Sequence, residues 1–197
     1  MIPKIRRLSE KYVIYLLIFG MISLLLNIYL LNTVRQTNIQ QAETQEILLY
    51  NSSILMSRCG KRIQDAVRGD ISVNTAAQKV YNLIFAYRMK MHLAGNQIPE
   101  EKTQFFMDVG GAIRAVLMQK AQQQDPDMQV VEKMGQAADI TAHKMSRMSV
   151  KLQRRRSEFG LDPPNLDRLY RQTKDDIISS LSDLGAWQHM QFHFQNE

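Results

Sequence analysis

The chain has 197 residues, of which 45% are hydrophobic and 22% are charged, and its formal net charge is +6. This length accommodates one ordinary domain and a short additional segment, and it excludes two large domains. The single cysteine, Cys59, excludes an internal disulfide and any metal site built from several cysteines.

Residues 12–32 form an uncharged segment rich in leucine, isoleucine and tyrosine. An α-helix rises about 1.5 Å per residue, so this segment is about 31 Å long and matches the hydrocarbon thickness of a bilayer. Tyr12, Tyr15 and Tyr29 lie toward its two ends, where tyrosine favours the headgroup region. The segment is therefore predicted to be a transmembrane helix.

The charges on either side of this segment predict its orientation. Four basic residues lie in the tail of residues 1–11, whereas Arg35 alone follows the segment before Arg58. Basic residues near a span stay in the cytoplasm, so we expect a cytoplasmic tail and a single-pass cell membrane protein with an extracytoplasmic C-terminal part. The alternative is a cleavable signal peptide. Its apolar region would normally be about 7 to 15 residues long and end at a small-x-small site, which residues 30–34 do not provide.

The chain after residue 32 is nearly balanced in charge, with 21 basic residues, 18 acidic residues and a net charge of +3. A protein that binds nucleic acid needs a basic face to offset the phosphate charge. Nucleic acid is therefore not expected as a partner.

Proline and glycine divide the remaining sequence into helical segments. Pro99, Pro126 and Pro163 are predicted to start helices, because proline is tolerated in the first turn and disruptive further inside. Gly69, Gly95 and Gly160 are predicted to follow the ends of the preceding helices. No segment alternates apolar and polar residues with a period of two, so a β-sheet is not expected. The predicted segments cover about 33–68, 74–94, 99–123, 126–157 and 163–197.

The first of these segments is expected to begin as a stalk. Residues 33–46 are polar and lack a strong apolar stripe, so they are predicted to form a solvated helix that continues the span. From Ile47 onward apolar residues recur at helical spacing, which predicts a buried face at the start of a domain of residues 47–197. The predicted face comprises Ile47, Leu48, Asn51, Ile54, Leu55, Cys59, Ile63, Ala66 and Val67.

Each later segment also carries an apolar face. The second is predicted to bury Ala77, Val80, Tyr81, Ile84 and Tyr87. The fourth has three- and four-residue spacings typical of a coiled coil, at Val130, Val131, Met134, Ala138, Thr141, Met145, Met148 and Leu152. Long helices joined by short loops pack antiparallel. The predicted fold is therefore all-α, with one N-terminal transmembrane helix followed by an extracytoplasmic antiparallel bundle of four to five long helices.

The sequence contains no pattern that supports an enzyme. Nucleophilic catalysis needs a base beside a serine or cysteine, and nucleotide chemistry needs a glycine-rich phosphate loop. Neither signature is found, so we expect no catalytic residues and no cofactor.

His189 and His193 are the best candidates for metal ligands. Their four-residue spacing would place both imidazoles on one face of an α-helix, where they could bind one ion. The sequence lacks the glutamate that a zinc protease places directly after the first histidine. The ordinary interpretation is a pair of helical histidines without a ligand.

A basic run, Arg154, Arg155 and Arg156, lies near the end of the fourth segment and is preceded by Lys151, Arg147 and Lys144. These residues are candidates for contact with an anionic lipid headgroup or an acidic partner. The alternative is that cations at a helix C-terminus interact favourably with the helix dipole and bind nothing else.

Cys59 and Asn27 bear on self-association. Cys59 is interpreted as a small buried residue, and the alternative is a disulfide between two chains. Asn27 lies inside the predicted span, where its side chain could hydrogen-bond a second span. Dimerisation through the membrane is therefore consistent with the sequence.

The absence of catalytic groups, the helical surface and the stalk together predict a membrane-anchored interaction or scaffold module. Its partner is expected to be an envelope protein or a second copy. The alternative is an extracytoplasmic subunit that senses a ligand or a metal. A structural spacer without a saturable partner is a third possibility.

Overall fold

The computed structural model describes residues 2–93, 100–159 and 163–194, and these contain helices and no strand. The prediction of an all-α fold is confirmed. The long helices are α1 (Ile2–Val67), α2 (Val73–Leu93), α3 (Glu100–Ala121), α4 (Met128–Phe159) and α5 (Pro163–Asp183). The short α6 (Trp187–Met190) leads into a 3-10 turn, Gln191–His193.

α1 is one uninterrupted helix of 66 residues, about 99 Å long at 1.5 Å per residue. Every side chain from residue 12 to residue 37 is exposed. Most of these residues are apolar, and a water-soluble surface rarely exposes so large an apolar area. One helix near the N-terminus is therefore long and apolar enough to cross a membrane.

α1 joins the core at Ala42, inside the segment that the sequence assigned to a solvated stalk. Ala42 is 1% exposed, and Leu49, Met56 and Ile63 follow it into the core at seven-residue intervals. The predicted burial of Ile47 is wrong, because its side chain is 57% exposed. Three consecutive apolar residues occur here, and packing buries the second and third, Leu48 and Leu49.

α4, α2 and α3 contact α1, and α5 and α6 pack on these helices. α4 is the main partner of α1, α2 packs on α1 and α3, α5 packs on α4, and α6 packs on α3. The eight positions predicted to form the buried face of the fourth segment are all buried. The largest fully buried side chains of α3, α4 and α5 are Ile113, Leu117, Met134, Met145, Met148, Leu152, Ile177 and Leu181.

Glycines end α1 and α5. Gly69 has φ +81°, and the amides of Gly69 and Asp70 donate to carbonyls of the last turn of α1, as predicted. Gly185 has φ +69°, and the amide of Ala186 donates to the carbonyl of Leu181 at 2.9 Å. The prediction of a fifth helix that continues to the end of the chain is wrong, because this cap stops α5 at Asp183.

Candidate interaction surface

Two contacts fix how α1 and α4 lie relative to each other. The hydroxyl of Ser149 donates to the carbonyl of Glu46 at 3.3 Å, and the amide Nε2 of Gln64 donates to Oδ2 of Asp139 at 3.0 Å. Later residues of α4 thus lie beside earlier residues of α1. The two helices run in opposite directions.

Glycines bring α1 and α4 close together. A β-carbon added at Gly60 would overlap the carboxylate of Asp139 and lie 3.4 Å from the carbonyl oxygen of Gly135. A β-carbon added at Gly135 would lie 3.4 Å from the side chain of Ile63 in α1. Of the two positions, only Gly60 has no space for a β-carbon without movement of Asp139, and a β-carbon at Gly135 would make an ordinary contact with Ile63.

Asp139 is half-buried in this contact. Desolvation by burial raises the pKa of its carboxyl above the ordinary value. Gln64 donates to one carboxylate oxygen, and the other faces Gly60. Asp139 therefore connects α1 and α4, and its burial makes the charged form of the carboxyl less favourable.

Polar groups are buried where α2 crosses α1. The hydroxyls of Ser52 and Tyr87 lie 2.6 Å apart, and the Tyr87 hydroxyl is also 3.4 Å from the carbonyl of Leu48. Burial raises the pKa of Tyr87, and the hydrogen bond with Ser52 opposes that shift. Gln45, 4% exposed, has its side-chain oxygen without a hydrogen-bond partner among the described residues. The core at this end of the domain thus contains polar groups beside the buried Leu48 and Leu49.

One side of the α1 and α4 pair carries exposed apolar residues. Tyr50 lies two seven-residue intervals before Gln64, and Val150 lies eleven residues after Asp139. Both spacings are close to whole numbers of helical turns. Tyr50 and Val150 therefore lie on the same side of the helix pair as the hydrogen bond between Gln64 and Asp139. Tyr50 is 56% exposed and Val150 is 40% exposed. Ile47, 57% exposed, lies beside Tyr50 on the outer surface of α1.

Basic side chains lie beside these apolar residues on α4. The cations Arg147, Lys151 and Arg154, and the imidazole of His143, are exposed and follow at three- or four-residue spacings. None of the four has a hydrogen bond or ion pair in the described part of the chain. We refer to Ile47, Tyr50, Val150, Arg147, Lys151 and Arg154 as the α1–α4 face.

The predicted basic run overlaps the α1–α4 face in one residue. Arg154 belongs to the face, and Arg155 is exposed next to it. The side chain of Arg156 lies outside the described residues. Arg147 and Lys151, which precede the run in the sequence, are exposed on the same side of α4 as Arg154.

The two histidines proposed as metal ligands do not lie on one continuous α-helix. His189 is half-buried in α6, which ends at Met190, and His193 belongs to the 3-10 turn. A 3-10 turn has about 3.0 residues per turn, so a four-residue spacing no longer aligns two side chains. The His193 side chain lies outside the described residues. The rest of the described chain holds no cluster of three or more metal-ligating side chains.

A groove of about 460 Å³ lies at the end of the domain farthest from residues 12–32. It is lined by the turn between α1 and α2 and the connection between α3 and α4. Most of its lining is apolar, including Val67, Ile71, Val73, Pro126 and Met128, and Arg68 adds a charged side chain. The groove is open and could receive a small apolar molecule with an anionic group.

Cys59 is buried in the core and makes no disulfide. Desolvation by burial raises the pKa of its thiol to about 12. Cys59 is therefore a packing residue in this structure, which agrees with the interpretation of it as a small buried residue.

Comparison with protein-family models, with curated proteins and with solved structures finds no match for this chain. The functional argument therefore rests on the structure of the chain itself. The main features are the exposed apolar part of α1, the α1–α4 face and the distal groove.

Proposed function

We propose that this chain is a single-pass membrane protein that holds an antiparallel helical bundle outside the cytoplasm. The bundle acts as an interaction or scaffold module for an envelope protein or a second copy. The observation that carries this proposal is the continuity of α1. The same helix presents the exposed apolar residues 12–32 and then contributes Ala42, Leu49 and Met56 to the core.

This continuity gives the domain a defined height above the bilayer. From residue 33 to Val67, α1 extends about 52 Å at 1.5 Å per residue. Without a break in the helix, the domain follows the tilt and rotation of the span. A surface on α1 or α4 is thereby presented at a fixed distance from the membrane, which suits a docking module.

The orientation of the proposed span rests on the flanking charges. Lys4, Arg6, Arg7 and Lys11 precede the apolar segment, and this bias favours a cytoplasmic N-terminus. The domain then lies in the extracytoplasmic space with the α1–α4 face available to other proteins.

Crosslinking of the full-length chain in intact cells tests this function. We expect an amine-reactive crosslinker to capture a defined dimer or a defined complex with another envelope protein. Recovery of monomers alone would contradict the proposal. A variant with residues 12–32 removed serves as the control, because the complex should diminish when the domain leaves the membrane.

The distal groove favours a second candidate function, the sensing of a ligand. Its apolar lining and Arg68 suit a small organic anion. We expect such a ligand to raise the melting temperature of the full chain in detergent and to lose this effect in Val67→Trp, which fills the groove. The metal version is tested in the same assay with zinc or copper and with His189→Ala and His193→Ala. If neither metabolites nor metals change the melting temperature, the sensing function is excluded.

A further inference from the structure

We infer that the outer surface formed by α2 and α3 binds an acidic amphipathic helix of another protein. The inference deepens the proposed docking function and rests on it, because it names the chemistry of the partner. The surface consists of an apolar stripe on α2 and of arginines beside that stripe. It is separate from the α1–α4 face.

The stripe on α2 consists of Tyr81, Phe85 and Met89, which follow at four-residue intervals and cover about 12 Å along the helix axis. At about 100° per residue, Tyr81 and Met89 lie about 40° to either side of Phe85 around the helix. Their exposed fractions are 38% for Tyr81, 52% for Phe85 and 45% for Met89. The rings of Tyr81 and Phe85 stack with their centroids 6.0 Å apart. The three side chains therefore form one apolar strip on the outside of α2.

Two contacts show which side of the stripe faces α3. The guanidinium of Arg114 lies over the ring of Tyr81, 4.4 Å from its centroid. A β-carbon added at Gly110 would lie 2.9 Å from Cδ1 of Ile84. Ile84 lies about 100° from Phe85 around α2, on the same side as Tyr81. α3 therefore packs on the Tyr81 side of the stripe, and Phe85 lies farther from it.

α3 supplies the surface next to the stripe. Around α3, Arg114 lies about 40° and Met107 about 60° from Gly110, in the same direction. Both side chains are half-buried. Gly111 follows at about 100° in that direction, is exposed and has no atom within 4 Å of the position of a β-carbon. The surface beside Arg114 and Met107 is therefore open at Gly111.

Arginines are the charged residues along this surface. Arg88 is exposed and lies about 60° from Phe85 around α2, on the same side as Tyr81 and α3. Among the described residues, neither Arg88 nor Arg114 has a hydrogen bond or an ion pair. The Nε of Arg114 is buried without a hydrogen-bond partner in the described part of the chain. Two guanidinium groups thus lie beside the stripe with their donors available to a partner.

Carboxylates do not offset these arginines. The sequence of α2 contains no acidic residue. Asp108 of α3 accepts a hydrogen bond from Gln104 and lies about 160° from Gly110 around α3, on the side away from α2. We call the whole surface the α2–α3 face, formed by Tyr81, Phe85, Arg88, Met89, Met107 and Arg114.

This combination fits a helix with an apolar stripe and acidic residues beside it. The surface between two packed helices receives a third helix whose apolar residues recur every three or four positions, as they do on α2. A guanidinium presents five donors in a fixed geometry that matches a carboxylate. Aspartate or glutamate on the partner would therefore pair with Arg88 and Arg114, while its apolar residues contact Phe85.

A second copy does not supply these carboxylates. A two-fold axis brings the same surface of both copies together, so arginines would meet arginines across the contact. Like charges in an interface disfavour a partner. The charge of the α2–α3 face therefore favours a different protein.

Lipid headgroups lie too far from this face. The Tyr87 hydroxyl contacts Ser52 and Leu48 of α1, which places this part of α2 level with them. At 1.5 Å per residue, these two residues lie about 24 to 30 Å beyond residue 32. Electrostatic attraction to a surface decays over about 8 Å at physiological ionic strength. Headgroups at the end of the proposed span therefore do not attract these arginines.

Binding of designed helical peptides to the full-length chain tests the inference. The chain is held in nanodiscs of phosphatidylcholine. The probe is a fluorescent peptide helix with leucines along one side and glutamates on both sides of them, and a matched peptide carries lysines in place of the glutamates. Fluorescence anisotropy measures both affinities, with empty nanodiscs as the blank. Slow maleimide labelling of the buried Cys59 verifies that each variant is folded.

We expect saturable binding of the acidic peptide and at least about tenfold weaker binding of the basic peptide, or about 1.4 kcal/mol. Phe85→Glu and Arg88→Glu should each weaken binding of the acidic peptide by a similar factor. Ile47→Glu and Arg147→Glu on the α1–α4 face are the matched controls, because both residues are exposed, and they should leave this binding unchanged. The chain with Arg88→Glu should also bind the basic peptide more tightly than the unmodified chain does.

Three results in this assay overturn the inference. They are an absence of binding by the acidic peptide, equal affinities of the two peptides, and equal effects of the α2 variants and their controls. If any of them is found while crosslinking of intact cells still captures a defined complex, the acidic helix is wrong and the proposed docking function stands.

Photocrosslinking in intact cells distinguishes the other occupants. Benzoylphenylalanine in place of Phe85 forms a covalent bond with whatever contacts the α2–α3 face. An adduct with another protein that is lost with Arg88→Glu and kept with Arg147→Glu supports the inference. An adduct with a second copy, with lipid alone, or with a protein whose capture does not depend on Arg88 overturns it.

Discussion

Gly60 of α1 lies against the carboxylate of Asp139 of α4, with no space for a β-carbon between them. The contact joins residues far apart in sequence and sets how closely the two helices pack. A β-carbon at this position would require the Asp139 side chain to move, because the backbone oxygen of Gly135 lies at an ordinary contact distance of 3.4 Å.

Gly60→Ala is therefore expected to destabilise the protein. Alanine favours a helix over glycine by about 1 kcal/mol, but overpacking at a tight contact costs about 1 to 3 kcal/mol. Displacement of Asp139 would also weaken its hydrogen bond with Gln64. We expect a net loss of about 1 kcal/mol, measured by denaturant unfolding of the full chain in detergent.

Gly111→Ala is the control for this substitution. Gly111 lies within α3, is exposed and has no atom within 4 Å of the position of a β-carbon. The same change should stabilise the protein there by up to about 1 kcal/mol. Equal effects of the two substitutions would show that Gly60 is not a packing contact.

Asp139 is expected to make stability depend on pH in a defined direction. Burial raises its folded pKa, so the folded protein binds more protons than the unfolded chain between the two pKa values. Its contribution therefore becomes less favourable as the pH rises through this interval. Asp139→Asn removes the charge and leaves an oxygen that still accepts the hydrogen bond from Gln64.

Asp139→Asn should be more stable than the unmodified protein at pH 7, and the difference should shrink as the pH falls toward about 4, the ordinary value for aspartate. Unfolding free energies of both proteins measured across this range test the prediction. A difference that grows on acidification would mean that the charged form is favoured in the fold.

Cys59 is expected to be protected from thiol reagents. Its side chain is fully buried, and a pKa of about 12 leaves almost no thiolate at pH 8. A maleimide should label the native protein many times more slowly than the chain in denaturant. Rapid labelling under native conditions, or a dimer that reducing agent dissociates, would contradict the burial of this residue.

The sequence predicted the buried residues of α4 better than those of α1, and the reason is physical. The seam of α4 was predictable because its apolar residues follow one regular spacing between polar neighbours. In α1 the adjacent Ile47, Leu48 and Leu49 each suit a buried position, and contacts with α2 and α4 decide among them. Tyr81 was expected to be buried, yet it is 38% exposed with the guanidinium of Arg114 4.4 Å from its ring.

The α1–α4 face was only partly predictable. The arginine run in the sequence indicated Arg154. Tyr50 and Val150 lie on different helices, and only the way in which α1 packs against α4 brings them to the same side of the domain. The end of α5 at Asp183 was missed because no proline accompanies Gly185. The metal hypothesis assumed that the same helix continued through His193.

Membrane extraction of the full-length chain with Ser179→Cys tests the central claim most directly. Ser179 is exposed on α5 and is not part of the α1–α4 face. We predict that the chain stays in the membrane after alkaline extraction and that an impermeant maleimide labels this cysteine in intact cells with an accessible cytoplasmic membrane. Release into the soluble fraction, or labelling only after the cytoplasmic membrane is opened, would contradict a domain held outside the cytoplasm by α1.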